Sequence, residues 1–242
     1  MDDTKRIKIA EHLIFSYLVL FPFGQLIRVP LDFIGISFVI HPTDLIVMLS
    51  FIFVVVLKIE GLRVWGYFSA FILVCIFSYI LSTTFYPLNQ LVVGLMYLIR
   101  LIAYFAFFLL CYFFIKHNPK FSKILFDSLI SVSFVVGVFG WIQYFFYPDL
   151  TALREIGWDD HLYRVVGTFL DPGFTGIILS LGFIATFSRY IYRPKKVQFL
   201  LFVFFLITVA FTYSRASYLA VLVASGFILI QKKKLMAFGI FL

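Results

Sequence analysis

Apolar residues in this chain come in long unbroken runs, not in the two-residue alternation of half-buried strands or the narrow stripes of soluble helices. A helix needs ~20 apolar residues to cross a ~30 Å hydrocarbon layer. On that ruler the runs fall at 9–27, 43–57, 64–83, 91–115, 122–147, 165–190, 197–212 and 215–230, and a ninth opens at Leu235. The pattern predicts an all-α, polytopic helical membrane protein with about eight transmembrane helices plus the start of a ninth, in a single transmembrane domain over residues 1–242. The final stretch from Leu235 to Leu242 reaches only about 12 Å as a helix. The sequence therefore reads as the front part of a longer protein.

The polar residues between the runs set the orientation. Lys5, Arg6, Lys8, Lys58, Arg63, Lys116, Lys120, Lys123, Arg189, Arg193, Lys195, Lys196, Lys232, Lys233 and Lys234 fall on alternate connections, and they are fifteen of the twenty Lys and Arg. The positive-inside rule then puts those connections and the N-terminus in the cytoplasm. A composition 63% hydrophobic and 13% charged excludes an ordinary soluble domain. The formal charge of +8 does not mark a nucleic-acid binder, because the basic residues flank apolar runs and build no basic face. The basic N-terminus before an apolar run resembles a secretory signal but lacks a small-residue cleavage site, and reads as an uncleaved first helix. Cys75 and Cys111 lie within apolar runs and read as packing residues. His12, His41, His117 and His161 are scattered without ligand spacing, so no metal and no cofactor is implied.

What remains on the outer side is Arg28, Arg100, Arg154, Arg164 and Arg215, all arginine. Arginine stays charged and offers a planar fork that suits phosphate, so an anionic ligand at the outer leaflet is the first expectation. Arg28, beside Val29 and Pro30 at the end of the first run, reads as an interface anchor. Arg100 lies nine residues beyond Leu91, about 13 Å into its helix, where a bare arginine costs on the order of 3 kcal/mol. The stretch from Val197 to Ile230 has 34 residues, about 51 Å as one helix, yet both flanks are strongly basic. It must go out and return, which pulls the tip TYSRAS below the surface and puts Arg215, Thr212 and Ser214 in a polar cavity.

The segment RVVGTFLDPGFTG, residues 164–176, interrupts another run. Asp is a preferred N-cap and Pro a preferred first helical residue, so a helix is predicted to start at Asp171-Pro172 and run to Tyr190. Residues 164–170 then dip into the membrane as irregular chain, and the helix N-terminus faces the same cavity as Arg164. The loop before it holds Asp149, Arg154, Glu155, Asp159, Asp160 and His161; adjacent carboxylates there read as a solvated loop rather than a cation site or a base.

RVVGTFLDPGFTG followed one helix later by TYSRASYLA resembles the O-antigen ligase and O-antigen polymerase family of bacterial inner-membrane glycosyltransferases, and HPTDLIVML, YLIRLIAYF and GWIQYFFYPDL are similar to its N-terminal half. The resemblance implies a helical GT-C-like fold and metal-independent, inverting transfer or polymerisation of glycan from an undecaprenyl-pyrophosphate-linked donor on the outer face. It implies that Arg100, Arg164 and Arg215 bind the pyrophosphate, with Asp171, Thr212 and Ser214 supporting them. Gly173 departs from the family, which commonly has Asn there. The external loop after the ninth helix, where the ligases carry a histidine implicated in activating the acceptor, is absent from this sequence, so the 242 residues alone are expected to be inactive. A transporter for an anionic or lipid-linked solute is the competing reading, since transporters also break helices and bury arginines; it requires a pathway to both faces.

The charge distribution yields a direct test. With the N-terminus inside, residues 148–163 face outward, and Asp159→Cys is expected to react with a membrane-impermeant thiol reagent in intact cells; reaction only after the membrane is broken would reverse the topology.

Overall fold

The structure is a computed structural model, and it describes residues 3–33, 36–57, 59, 64–156 and 158–232. Among these residues the apolar runs become helices α1 (Asp3–Leu20), α2 (Pro42–Val56), α3 (Val64–Ser82), α4 (Leu88–His117), α5 (Pro119–Phe146), α6 (Pro172–Tyr192), α7 (Lys196–Ala210) and α8 (Arg215–Gln231). Four stretches are long and apolar enough to cross a membrane: Lys5–Leu26, α4, α5 and α6. The others, α2, α7, α8 and the Gly66–Ser82 part of α3, are apolar but shorter. The chain is thus a helical membrane protein by length and composition, with four such spans rather than eight on that criterion. The ninth run from Leu235 and the basic residues Lys58, Arg63, Lys233 and Lys234 lie outside the described residues.

One element does not follow from the apolar runs. Strands β1 (Val29–Phe33) and β2 (Ile36–Ile40) form an antiparallel hairpin before α2, with Val29 opposite Ile40 and Phe33 opposite Ile36. Each strand is five residues long, too short to register on a ruler set for membrane spans. Pro30 is tolerated because both strands of a two-stranded sheet are edges.

The helices gather into two compact units. In the first, Met1–Leu20 with Ile27–Lys123, α1 buries Ala10, Ile14 and Leu18 at four-residue spacing, while α4 buries Ala103, Ala106, Leu110 and Phe114. Both are single faces of a 3.6-residue period. In the second, Phe21–Leu26 with Ile124–Leu242, α6 packs on both α7 and α8. Phe183, Phe187, Phe202, Phe205, Val209 and Leu229 form its apolar centre. Small residues let these helices approach. A Cβ on Gly182 of α6 would stand 2.7 Å from the Ser133 Cβ of α5 and 2.8 Å from the Phe205 ring of α7.

Gly182→Ala is therefore expected to destabilise by about 1–3 kcal/mol through overpacking, lowering the melting temperature in detergent. Gly66, with nothing within 4 Å of its would-be Cβ, serves as the control: Gly66→Ala is expected to be neutral or stabilising by up to about 1 kcal/mol. Equal melting temperatures for the two variants would contradict this packing.

Candidate functional site

The 34-residue stretch is a helical hairpin, as its length requires. Helix α7 ends at Ala210 and α8 begins at Arg215, giving arms of about 22 and 26 Å. The turn is closed by main-chain bonds from Thr212 N to Val209 O (3.1 Å) and Tyr213 N to Ala210 O (3.3 Å), and Tyr213 takes a left-handed backbone with φ 53°. The two polar residues expected to support a ligand hold this turn. Thr212 Oγ1 donates to Val209 O (2.7 Å) and accepts from Ser214 N (3.2 Å). Ser214 is the N-cap of α8, accepting from Ser217 N at 3.4 Å and from Ser217 Oγ at 2.9 Å.

The second break precedes α6. Asp171 is its N-cap, its Oδ1 accepting from Phe174 N at 2.5 Å, and Pro172 is the first helical residue, as predicted; the helix runs two residues further, to Tyr192. Residues 164–170 are non-helical apart from a short 3-10 turn at Gly167–Phe169, and Val165, Val166 and Thr168 are buried. Irregular backbone at such a place needs partners for its polar groups, and four of them have one in neighbouring elements. Val165 N donates to Phe211 O of the hairpin tip (2.9 Å). The Gln143 side chain of α5 accepts from Val166 N (3.0 Å) and Gly167 N (3.3 Å). Thr175 Oγ1 donates to Val166 O (2.6 Å), and Thr168 Oγ1 to Pro22 O (2.6 Å). Gly167 has φ 57°, a left-handed backbone that favours glycine.

These two breaks meet. A Cβ on Gly176, in the second turn of α6, would collide with Ser217 Oγ in the first turn of α8 and stand 3.3 Å from Thr212 Oγ1, so the N-terminal ends of α6 and α8 lie side by side. Arg164 and Arg215 are both exposed. The Arg164 guanidinium lies 6.0 Å from the Tyr213 ring centre, and Arg215 follows two residues on. Among the described residues neither is paired with a carboxylate. The Asp171 carboxylate offsets the positive end of α6, whereas α8 is capped by a neutral hydroxyl and keeps its partial charge. Two forked cations and a helix N-terminus capped only by a neutral hydroxyl suit an oxyanion at this tip.

Arg100 is differently placed. It belongs to the first unit, where its Nη2 donates to Asp44 Oδ2 and to Val39 O, both at 2.6 Å. The rings of Phe38 and Tyr97 lie 4.7 and 5.4 Å from its guanidinium carbon. Asp44, 2% exposed, also accepts from His41 N (2.9 Å) and from Tyr104 OH (3.3 Å). Arg100 thereby ties α4 to the hairpin and to the start of α2. The sequence offered no sign of Asp44 as its counterion beyond an acidic residue in the first turn of an apolar helix, and none of Gln143 beyond a lone amide in GWIQYFF.

The long loop is folded back on itself. Asp149 bridges to Leu162, and Leu150 N donates to His161 O at 3.0 Å. Asp149 accepts from the backbone N–H (2.9 Å) and hydroxyl (2.7 Å) of Thr151, which hold its carboxyl below the usual range. Arg154, Glu155, Asp159 and Asp160 are exposed, with Arg154 3.3 Å from Asp160. His161 departs from the expected solvated loop: it is buried, and its Nδ1 has no hydrogen-bond partner among the described residues. Among the described residues no three His, Cys, Asp or Glu gather as a metal site. No family model, curated protein or solved structure matches the chain.

The Arg100 ion pair makes a stability prediction. Asp44→Ala leaves a largely buried guanidinium without its counterion and is expected to cost about 3 kcal/mol or more. Asp44→Leu combined with Arg100→Met removes both charges and is expected to recover most of that loss in thermal unfolding. A double variant no more stable than the single one would contradict the pairing.

Proposed function

We propose that the chain is a membrane glycosyltransferase of GT-C-like fold that transfers or polymerises glycan from an undecaprenyl-pyrophosphate-linked donor at the outer face of the bacterial inner membrane. The single observation that carries this reading is the tip where Arg164, Arg215 and the N-terminus of α8, capped by the neutral Ser214 hydroxyl, come from adjoining segments with no carboxylate partner for either arginine among the described residues. Transfer of a sugar from a diphosphate carrier builds negative charge on the leaving pyrophosphate, and preorganised donors in a low-dielectric setting stabilise that charge without reorganising. Arg164 and Arg215 hold the leaving group in this reading. Asp171, Thr212 and Ser214 set the main chain that presents them, and Arg100 holds its own unit together through Asp44. The inverting reaction also needs a group to take the proton of the acceptor hydroxyl. The N-terminus is cytoplasmic in this arrangement, with the tip at the outer leaflet.

In the complete protein, Arg164→Ala and Arg215→Ala are each expected to lower glycan transfer about 100-fold, the scale of losing one oxyanion donor, while the amount of protein in the membrane is unchanged. Lysine at either position is expected to restore little, because it keeps the charge but not the fork. Full transfer by both alanine variants would overturn the reading.

A further inference from the structure

The end of the second unit away from the Arg164–Arg215 tip is also basic, but by a different arrangement. Helix α6 ends at Tyr192 and α7 starts at Lys196, so Arg193, Pro194 and Lys195 make the whole turn between them. Arg193 N donates to Arg189 O at 2.8 Å, and the ring of Pro194 fixes its own φ, which holds the turn in shape. Arg193, Lys195 and Lys196 are exposed. Lys232 follows the last residue of α8, and its Nζ lies 4.2 Å from the ring centre of Tyr192. The end of α8 thus lies against the end of α6, and four cations gather there.

Little in the unit opposes that charge. Asp127 of α5 is the acid at this end, and it is taken by Arg189, whose guanidinium carbon also lies 4.5 Å from the Phe126 ring centre. Among the described residues no carboxylate pairs with Arg193, Lys195, Lys196 or Lys232. The positive-inside rule accounts for basic residues at a membrane boundary. It does not account for their collection on one tight turn, with a fourth brought in from another helix.

Just inside the cations the helices turn apolar side chains outward. Val197 and Leu200 at the start of α7, and Phe227 and Ile230 at the end of α8, are each more than half exposed. A partner that fits is therefore anionic at one end and apolar below it. Soluble phosphate lacks the second property, and a phospholipid with a single phosphate leaves most of the four cations unmatched. We infer that this end of the unit binds a phospholipid carrying two phosphates, of the cardiolipin class, with its head on Arg193, Lys195, Lys196 and Lys232 and its acyl chains along α7 and α8. Each basic side chain near an anionic surface strengthens the attraction about fivefold, and a turn already held in shape has little ordering left to lose on binding. No residue of the arginine tip takes part, so the lipid site stands whether or not the protein transfers glycan.

The test is native mass spectrometry of the protein released from phosphatidylcholine nanodiscs that contain cardiolipin and phosphatidylglycerol at equal phosphate. Cardiolipin is expected to stay bound in preference to phosphatidylglycerol, and inorganic phosphate at the same concentration is expected not to displace it. Arg193→Gln, Lys195→Gln and Lys196→Gln together are expected to lower the retained cardiolipin by a factor of about ten or more, with the melting temperature in phosphatidylcholine alone unchanged because the three side chains are exposed. Lys195→Arg with Lys196→Arg keeps the charge and is expected to keep the lipid. Lys116→Gln, Lys120→Gln and Lys123→Gln together remove the same formal charge from exposed positions of α4 and α5, and are expected to leave the bound cardiolipin in place. Equal losses in the two triple variants would mean diffuse attraction to surface charge and would overturn the site. So would displacement by inorganic phosphate, equal retention of phosphatidylglycerol, loss of the lipid in the arginine-substituted variant, or full retention in the first triple variant.

Discussion

Backbone that leaves helical geometry inside an apolar protein must find a partner for each N–H and C=O, because neither lipid nor side-chain packing supplies one. Here the constraint is met by bonds that reach across the second unit. Val165 N bonds to Phe211 O, and Val166 N and Gly167 N bond to the Gln143 side chain. Val166 O accepts from Thr175, and Pro22 O from Thr168. One irregular segment is thus fastened to the end of α5, the start of α6, the hairpin tip and the turn after α1. Arg164 is presented by this fastening, and Arg215 by the turn it is fastened to. The site is built from main-chain bookkeeping before any side chain meets a ligand.

The arginines divide accordingly. Arg100 sits in a buried ion pair, and such pairs return little net stability because desolvation consumes the Coulombic gain. Their effect is to fix geometry, here the junction of the β-hairpin, α2 and α4. Arg164 and Arg215 have exposed guanidinium groups and no carboxylate partner among the described residues. In the proposed reading, an oxyanion offsets their desolvation when it binds. Arg100 thus has an assigned partner within the first unit, while Arg164 and Arg215 belong to the second.

Legibility in the sequence followed the range of each interaction. The N-cap at Asp171 with Pro172 behind it depends on neighbours within three residues, and the α6 start was read correctly. The hairpin depends on a length that no single span or pair of full spans satisfies; a return at TYSRAS, residues 212–217, was read from that length and the basic flanks, and the helices break at 211–214. The β-hairpin was missed because two five-residue strands leave no trace in a pattern measured in twenties. Asp44 and Arg100 are 56 positions apart, and Gln143 and Val166 are 23 apart, so their pairing is a product of tertiary packing that no local pattern encodes. His161 was read as solvated from its acidic neighbours, yet it is buried beside a bridge that pairs Asp149 with Leu162, thirteen positions apart.

Amide hydrogen exchange on the complete protein in nanodiscs, with and without inorganic pyrophosphate, tests the central claim most directly. The account predicts that the amides of Val165, Val166 and Gly167 exchange slowly before any ligand is added, although they lie outside the α-helices, and that pyrophosphate newly protects Arg215 and Ala216 at the start of α8. Rapid exchange at 165–167, or no change at 215 and 216 with pyrophosphate present, would contradict it.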